Sequence, residues 1–298
     1  MPDTPANIKK FERIALRYQP NNLRAVDASI VLLAYLRGKN IDVEIMHADL
    51  EAVTVSPPNP DEIKKLEKLD LMISLGGDGT FLSSSRLASM YDIPVFGINM
   101  GGLGFLTEVT IDNALKGMDQ VLKGDFHIEE RIMIETELEN ENVVHTYTAL
   151  NDIVFHRISL HKIVAIEVFI NEHPVVSYEA DGIIISTPTG STAYSLSSGG
   201  SILWPDLSAL IITPICPHSL SSRPLIVPAD KIIKLSCPTA YKSEISVMLD
   251  GQVSCRYNYP ISFEVRKSDT TAKLVRISGK QFGRTLREKL GWGKRFRQ

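Results

Sequence analysis

Residues Leu71–Thr80 read LMISLGGDGT, and their order decides the fold. Apolar, β-capable side chains run from Leu69 to Leu75 and stop at a glycine pair, an acid, a third glycine and a hydroxyl, after which a helix-like stretch begins. That is a strand, a tight turn and a helix start, the repeating unit of α/β proteins. Gly76, Gly77 and Gly79 let an anion reach the main-chain N–H groups, and phosphate suits such a turn. Asp78 has two readings. It caps the helix that follows, as Asp often does after a glycine turn. Alternatively, since a carboxylate repels phosphate, it handles a proton or a hydroxyl beside a bound nucleotide. The turn alone leaves both open.

Outward from this stretch, strands alternate with helices. Ile14–Tyr18 reads as a first strand, Pro20-Asn21-Asn22 as turn and cap, and Leu23, Val26, Ile30 and Leu33 recur at helical spacing until Gly38. Ile41–Met46 is a second strand. Ser56–Asp61 is a Pro-rich connection to a charged helix, Glu62–Lys68, and Pro94–Asn99 is a further buried-type strand. The order predicts a parallel sheet with ligands gathered at the carboxyl ends of its strands. Met100–Thr107, MGGLGFLT, would lie there too, either as a ligand turn or as mere punctuation. It is no dinucleotide fingerprint, because Thr107 stands where G-x-G-x-x-G requires its third glycine, and the chain has no G-x-x-x-x-G-K-[ST]. Ile111, Leu115, Met118 and Leu122 predict one more helix, ended by Lys123-Gly124-Asp125.

Beyond His127 the pattern changes to short β-rich runs, among them Ile132–Leu138, Thr146–Phe155, Ile163–Ile170, Ile183–Ser186, Ala209–Ile212, Ile245–Leu249 and Ile261–Arg266. These predict sheet packed on sheet. Thr192–Gly199 is the helix expected among them. The basic tail carries Phe282, Leu286 and Leu290 four apart, a short amphipathic helix. The expected organisation is an α/β domain with a parallel sheet over 1–124, an all-β sandwich-like domain over 125–279, and a tail, 280–298, returning to the first.

Composition narrows the function. The chain has 298 residues, 44% apolar and 22% charged, enough for two buried cores. A net charge of −3 supplies no basic field for nucleic acid or anionic membrane, which favours small-molecule partners. Cys216, Cys237 and Cys255 are odd in number and widely spaced, so neither a disulfide framework nor a zinc site is indicated. With no signal-like N-terminus and no run long enough to span a bilayer, the expected location is the cytoplasm.

Two more stretches carry chemistry. Glu179–Ser195, EADGIIISTPTGSTAYS, places Asp181-Gly182 at a turn, then a buried strand, then a Thr- and Ser-rich loop entering a helix. Its hydroxyls serve polar recognition or only turns and caps, and Tyr194 is a stacking platform or core. Asn151-Asp152 interrupts an apolar run, which calls for a turn or a ligand site. His156 and His161 lack metal-ligand spacing and read as ordinary histidines.

Taken together, GGDGT at Gly76–Thr80, Asn151-Asp152, STPTGSTAYS at Ser186–Ser195 and PICPHSLSSRPLIVP at Pro214–Pro228 resemble the NAD kinase family over about Leu71–Val227. GGDGT alone is shared with lipid kinases and, in related form, with phosphofructokinases; the other stretches are more specific. The resemblance implies transfer of the γ-phosphoryl of ATP to the 2′-hydroxyl of the adenosine ribose of NAD, giving NADP. It implies Asp78 as catalytic acid, and Gly76, Gly77, Gly79 and Thr80 as the phosphate turn. Gly79, Asn151, Asp152, Asp181, Thr189, Thr192, Ala193, Tyr194 and Ser197 would bind NAD, with Phe105, His218 and Arg223 as further candidates. It also implies Mg²⁺ held chiefly by ATP without dedicated protein ligands, no tightly bound organic cofactor, a homo-oligomer, and a site between the domains. Two departures are visible: Asp152 stands where many relatives carry Glu, and Asn21-Asn22 replaces a glycine-bearing loop. A lipid or sugar kinase sharing GGDGT and a non-catalytic NAD-binding sensor are the alternatives.

Overall fold

The structure is a computed structural model that describes residues 11–48, 60–102, 104–140, 143–158, 164–238, 244–258, 260–277 and 282–292. His161, residues 56–59 of the Pro-rich connection and both ends of the tail lie outside them. The chain divides into two compact units, the first formed by residues 1–50, 58–130 and 273–298, the second by 51–57 and 131–272.

The first unit runs β1 (Arg13–Tyr18), α1 (Leu23–Gly38), β2 (Asp42–His47), α2 (Pro60–Leu66), β3 (Leu71–Gly76), α3 (Asp78–Ser89), β4 (Val95–Asn99), β5 (Val109–Thr110) and α4 (Ala114–Leu122). Its strands lie in the order β2-β1-β3-β4, all parallel, as the alternation of elements requires. Ile14, Leu16, Ile73, Leu75, Phe96 and Ile98 form a core with α1 and α4. On β1, Arg17 is 7% exposed and donates to the Ser83 and Ser84 hydroxyls of α3 at 2.9 and 3.2 Å. That pins the helix carrying Asp78 to the sheet. Burial, then the charge of Arg86, lowers this guanidinium to about 10.

Asn22 caps α1 by accepting from the Ala25 N–H. Of the stripe that announces this helix, Val26 and Leu33 pack partly buried against the core and the other two do not. Ala25, Ala28, Ser29, Leu32 and Leu36 face inward, while Leu23 is 76% and Ile30 60% exposed. Small side chains allow the helix to lie close against the sheet, and packing distance outweighs the hydrophobicity of single positions.

The following elements are β6 (His127–Asn140), β7 (Val143–Ala149), β8 (Asp152–Arg157), β9 (Val164–Ile170), β10 (His173–Ala180), β11 (Gly182–Ser186), α5 (Tyr194–Ser197), β12 (Ala209–Ile215), β13 (Leu225–Pro228), β14 (Ile233–Cys237), β15 (Glu244–Leu249), β16 (Val253–Asn258) and β17 (Ile261–Arg276). In the second unit one antiparallel sheet has the order β13-β12-β11-β8-β15-β16. A second pairs β10-β9-β14-β17, also antiparallel. Phe155, Ile183, Ile212 and Val247 of the first meet Ile166, Val168, Leu235 and Phe263 of the second in one apolar core, so the sandwich reading holds. The expected run Thr146–Phe155 is two strands, broken at Leu150-Asn151.

The chain ends in α6 (Phe282–Leu290), part of the first unit, where Phe282 packs on Phe105 with ring centroids 6.4 Å apart. Among the described residues no helix is long and apolar enough to cross a membrane.

Candidate functional site

The glycine turn does what its residue types allow. Gly76 ends β3 and would place a Cβ against Thr80, whose side chain is buried over it in the first turn of α3. Gly77 is the helix N-cap at φ −89°, and a Cβ there would meet nothing within 4 Å. Neither backbone nor packing demands a glycine at 77, which leaves room for a ligand as its reason. Asp78 is the first helical residue, not the cap, and its carboxylate turns away from its own helix. It accepts from the N–H groups of Phe105 at 3.2 Å and Leu106 at 3.3 Å, while Gly79 lies half-buried beside it. Asp78 is therefore not the cap of its own helix.

The Met100–Thr107 stretch is likewise built, not punctuated. Asn99 at the end of β4 donates to Thr107 Oγ1 at 3.0 Å and accepts from the Gly101 N–H at 2.8 Å, and the Gly104 N–H donates to the same Thr107 oxygen at 3.1 Å. Gly104 lies directly on the Asp78 carboxylate, with no space for a side chain. Gly104→Ala is therefore expected to push Asp78 off its two amides and cut turnover about tenfold or more, because small misplacements of a reacting group are costly. Steady-state rates at unchanged melting temperature check this. Behind the loop, buried Arg276 donates to the Leu106 carbonyl at 2.9 Å and pairs with Glu108 at 3.0 Å and Glu129 at 2.6 Å.

In the second unit, Leu150 and Asn151 form the turn between β7 and β8, and Asp152 opens β8. The Thr187-Pro188-Thr189-Gly190 segment is laid over it: the Thr187 N–H donates to the Asn151 carbonyl at 2.9 Å and the Thr187 hydroxyl to the Leu150 carbonyl at 2.6 Å. The Thr187 oxygen also accepts from the Gly190 N–H at 3.1 Å, and Thr189 accepts from Arg131 at 3.2 Å. Thr192 and Ala193 follow half-buried, and Ser197 is exposed. Asp181 is clamped by Arg157, whose Nε and Nη2 both reach Oδ1, at 2.7 and 2.6 Å. Tyr194 is 39% exposed, and its phenol is raised by burial and then by Cys216, Asp152 and Asp181, so the structure gathers these residues around it.

His218 is exposed, tied only through its N–H to the Glu179 carbonyl at 2.8 Å. Arg223 is exposed and donates to the carbonyls of its own loop, Leu220 and Ser222. His156 donates from Nδ1 to the carbonyl of its neighbour Arg157 at 2.7 Å. Arg131, Arg157, Asp250 and Arg276 were not legible as contributors, since each acts through partners far along the chain.

Asp152 is 4% exposed, and burial, then the charge of Asp250, push its carboxyl up from 3.8 to about 7. The sign of the consequence follows. The folded state keeps this proton where the unfolded chain has lost it, so the contribution to stability is full below about pH 4 and is lost as pH rises to about 7. The loss is on the order of 4 kcal/mol. Asp152→Asn is expected to flatten that slope and to melt higher than wild type at pH 8, which thermal melts from pH 5 to 8 check.

Comparison with known proteins follows the same two units. Residues 48–126 match the ATP-NAD kinase N-terminal domain and residues 150–277 the ATP-NAD kinase C-terminal domain. A NAD kinase of Heliobacterium modesticaldum is 41% identical over 244 residues, covering 82% of this chain and 86% of the relative. A NAD kinase of Geobacter sp. strain M21 is 36% identical over 289 residues, covering 97% of this chain and 100% of the relative. The crystal structure of yeast NADH kinase complexed with NADH matches with a TM-score of 0.82 at 26% identity, over 97% of this chain and 90% of that one. A NAD kinase from Archaeoglobus fulgidus in complex with ATP shares the fold, with a TM-score of 0.70 at 24% identity, over 94% and 98%.

Proposed function

The chain belongs to the NAD kinase family, and from that premise we propose how its residues carry the ATP-dependent phosphorylation of NAD. The observation that carries the proposal is the Asp78 carboxylate, fixed by two backbone amides at the start of α3 and beside a glycine N-cap with open space over it. Asp78 accepts the hydrogen bond of the 2′-hydroxyl of the adenosine ribose and aims its oxygen at the γ-phosphorus of ATP. As the bond to phosphorus forms, the bond to the β-phosphate oxygen breaks, ADP leaves, and the hydroxyl proton passes by way of Asp78 to solvent. In a loose transition state the attacking oxygen needs orientation more than full deprotonation, which suits an exposed-edge carboxylate held by N–H groups. The N–H groups of the turn Gly76, Gly77, Gly79 and Thr80, at the positive end of α3, take phosphate oxygens.

NAD is held by Asn151, Asp152, Asp181, Thr189, Thr192, Ala193, Tyr194 and Ser197, with Asp152 and Asp181 accepting hydroxyl or amino groups and Tyr194 offering an aromatic face. Mg²⁺ would be held chiefly by the phosphates of ATP, where it would neutralise developing charge. Cytoplasmic residence is supported by the free thiols Cys237 and Cys255 kept buried. A homo-oligomer is supported by the exposed Leu23, Ile30 and Val31 of α1.

Incubating the purified protein with MgATP and NAD and quantifying NADP tests the reading, with a diacylglycerol and a sugar phosphate as competing acceptors. NADP alone is the expected product. A folded protein that binds NAD and yields none overturns it.

A further inference from the structure

We infer that Asp250 is a positioning residue for NAD recognition, holding the Leu150–Asp152 backbone through its carboxylate. This deepens the reading of Asn151 and Asp152 as NAD-binding residues and rests on it. The Asp250 carboxylate, 8% exposed in the turn between β15 and β16, accepts three successive backbone N–H groups: Leu150 at 3.2 Å, Asn151 at 2.7 Å and Asp152 at 3.2 Å. Its own N–H donates to the Asp152 carbonyl at 2.9 Å. The two turns therefore hold each other, across about a hundred residues of sequence.

Turn chemistry does not account for this acid. Asp250 and Gly251 both have positive φ, +50° and +66°, and Asn-Gly serves such a pair at least as well as Asp-Gly. What Asn cannot do is accept three N–H groups on two oxygens. Nor is the charge free of consequence, because after burial it is the second cause that raises the Asp152 carboxyl. A buried acid that its own turn does not require, and whose charge acts on a second buried acid, marks a functional constraint.

The other groups near Asp152 do not replace it. Tyr194 approaches from α5, Asp181 from the turn between β10 and β11 with Arg157 on it, and Cys216 from the end of β12, yet the charge that acts on Asp152 is that of Asp250. An ionised Asp152 accepts ribose hydroxyls, and a protonated one gives up half that capacity. Burial first, and the charge of Asp250 second, thus raise the pH below which NAD is poorly held.

The test is Asp250→Asn, which keeps shape and left-handed tolerance, assayed for kcat and for KM of NAD and ATP from pH 5.5 to 8.5 beside wild type and Asp152→Asn. The expected result has two parts: KM for NAD rises about tenfold at pH 8 with KM for ATP within twofold, and the acid limb of kcat/KM for NAD moves down by about one pH unit. A variant that only melts earlier, with the acid limb in place, overturns the inference, since a purely structural tie would not carry that limb. If Asp152→Asn uses NAD like wild type, the assignment of the NAD site itself fails, whatever Asp250→Asn does. Should Asp250→Asn not fold, carboxyl ¹³C NMR titration of the wild-type protein reads the same coupling: linked titration of the two acids supports it, and independent titration overturns it.

Discussion

Asp78→Asn is expected to lower kcat for NADP formation by roughly 10²- to 10⁴-fold, the range for losing a positioned proton-handling group, while NAD binds within a few-fold of wild type. The substitution is isosteric, yet it changes the hydrogen-bonding logic of the turn. The Asp78 carboxylate accepts from two amides, Phe105 and Leu106, one on each oxygen. An amide side chain turns an NH₂ toward one of those N–H groups, donor against donor, so the side chain loses a partner as well as its charge. In the proposed mechanism both effects strike orientation of the 2′-hydroxyl, and neither strikes the residues of the second unit proposed to bind the dinucleotide. Steady-state kinetics with a separate NAD titration distinguish the outcomes. Wild-type turnover would remove Asp78 from the mechanism, and an equal loss of NAD binding would make it a binding residue.

Gly190→Ala is expected to reduce kcat/KM for NAD by about 10²-fold or more and to destabilise the protein by roughly 2–4 kcal/mol. A Cβ at Gly190 would land on the Asn151 carbonyl group and 2.7 Å from its Cα, and all of these are backbone atoms. A flexible side chain could swing aside; a peptide unit already bonded to Thr187 and Ser186 has nowhere to go. Either the Thr187–Gly190 segment lifts or the Leu150–Asn151 turn gives way, and each displaces proposed NAD-binding groups. Kinetics and a thermal melt of one preparation check both halves, and normal values of both would show that the two segments are not tied as the hydrogen bonds indicate.

Local chemistry made the main elements legible. The run into Gly76-Gly77-Asp78-Gly79 gave away a strand, a turn and a helix start because each residue type there has a local reason, and Asn151-Asp152 marked a break because two polar groups inside an apolar run need partners. The fate of the Asp78 carboxylate was not legible, since its amide partners stand 27 and 28 residues away. Asp250 was hidden more thoroughly. Asp-Gly after a strand spells a hairpin turn, and nothing local distinguishes an acid that serves its own turn from one that holds another turn 98 to 100 residues earlier. The inner face of α1 misled for a different reason: Ala25, Ala28 and Ser29 are chosen by the distance to the sheet, a quantity that hydrophobic periodicity does not contain. Strands β13 and β16 escaped notice because LIVP is four residues ending in proline and VSCRYN lacks a sustained β-branched run.

The bond from Arg276 to the Leu106 carbonyl spans 170 residues. At a synthesis rate of roughly 5–20 residues per second, the loop that seats Asp78 leaves the ribosome some ten to thirty seconds before its buttress is made. A nascent chain can therefore carry a finished glycine turn without a settled acid. Phosphoryl transfer then waits on the strand that carries Arg276, β17, reaching the loop that seats Asp78.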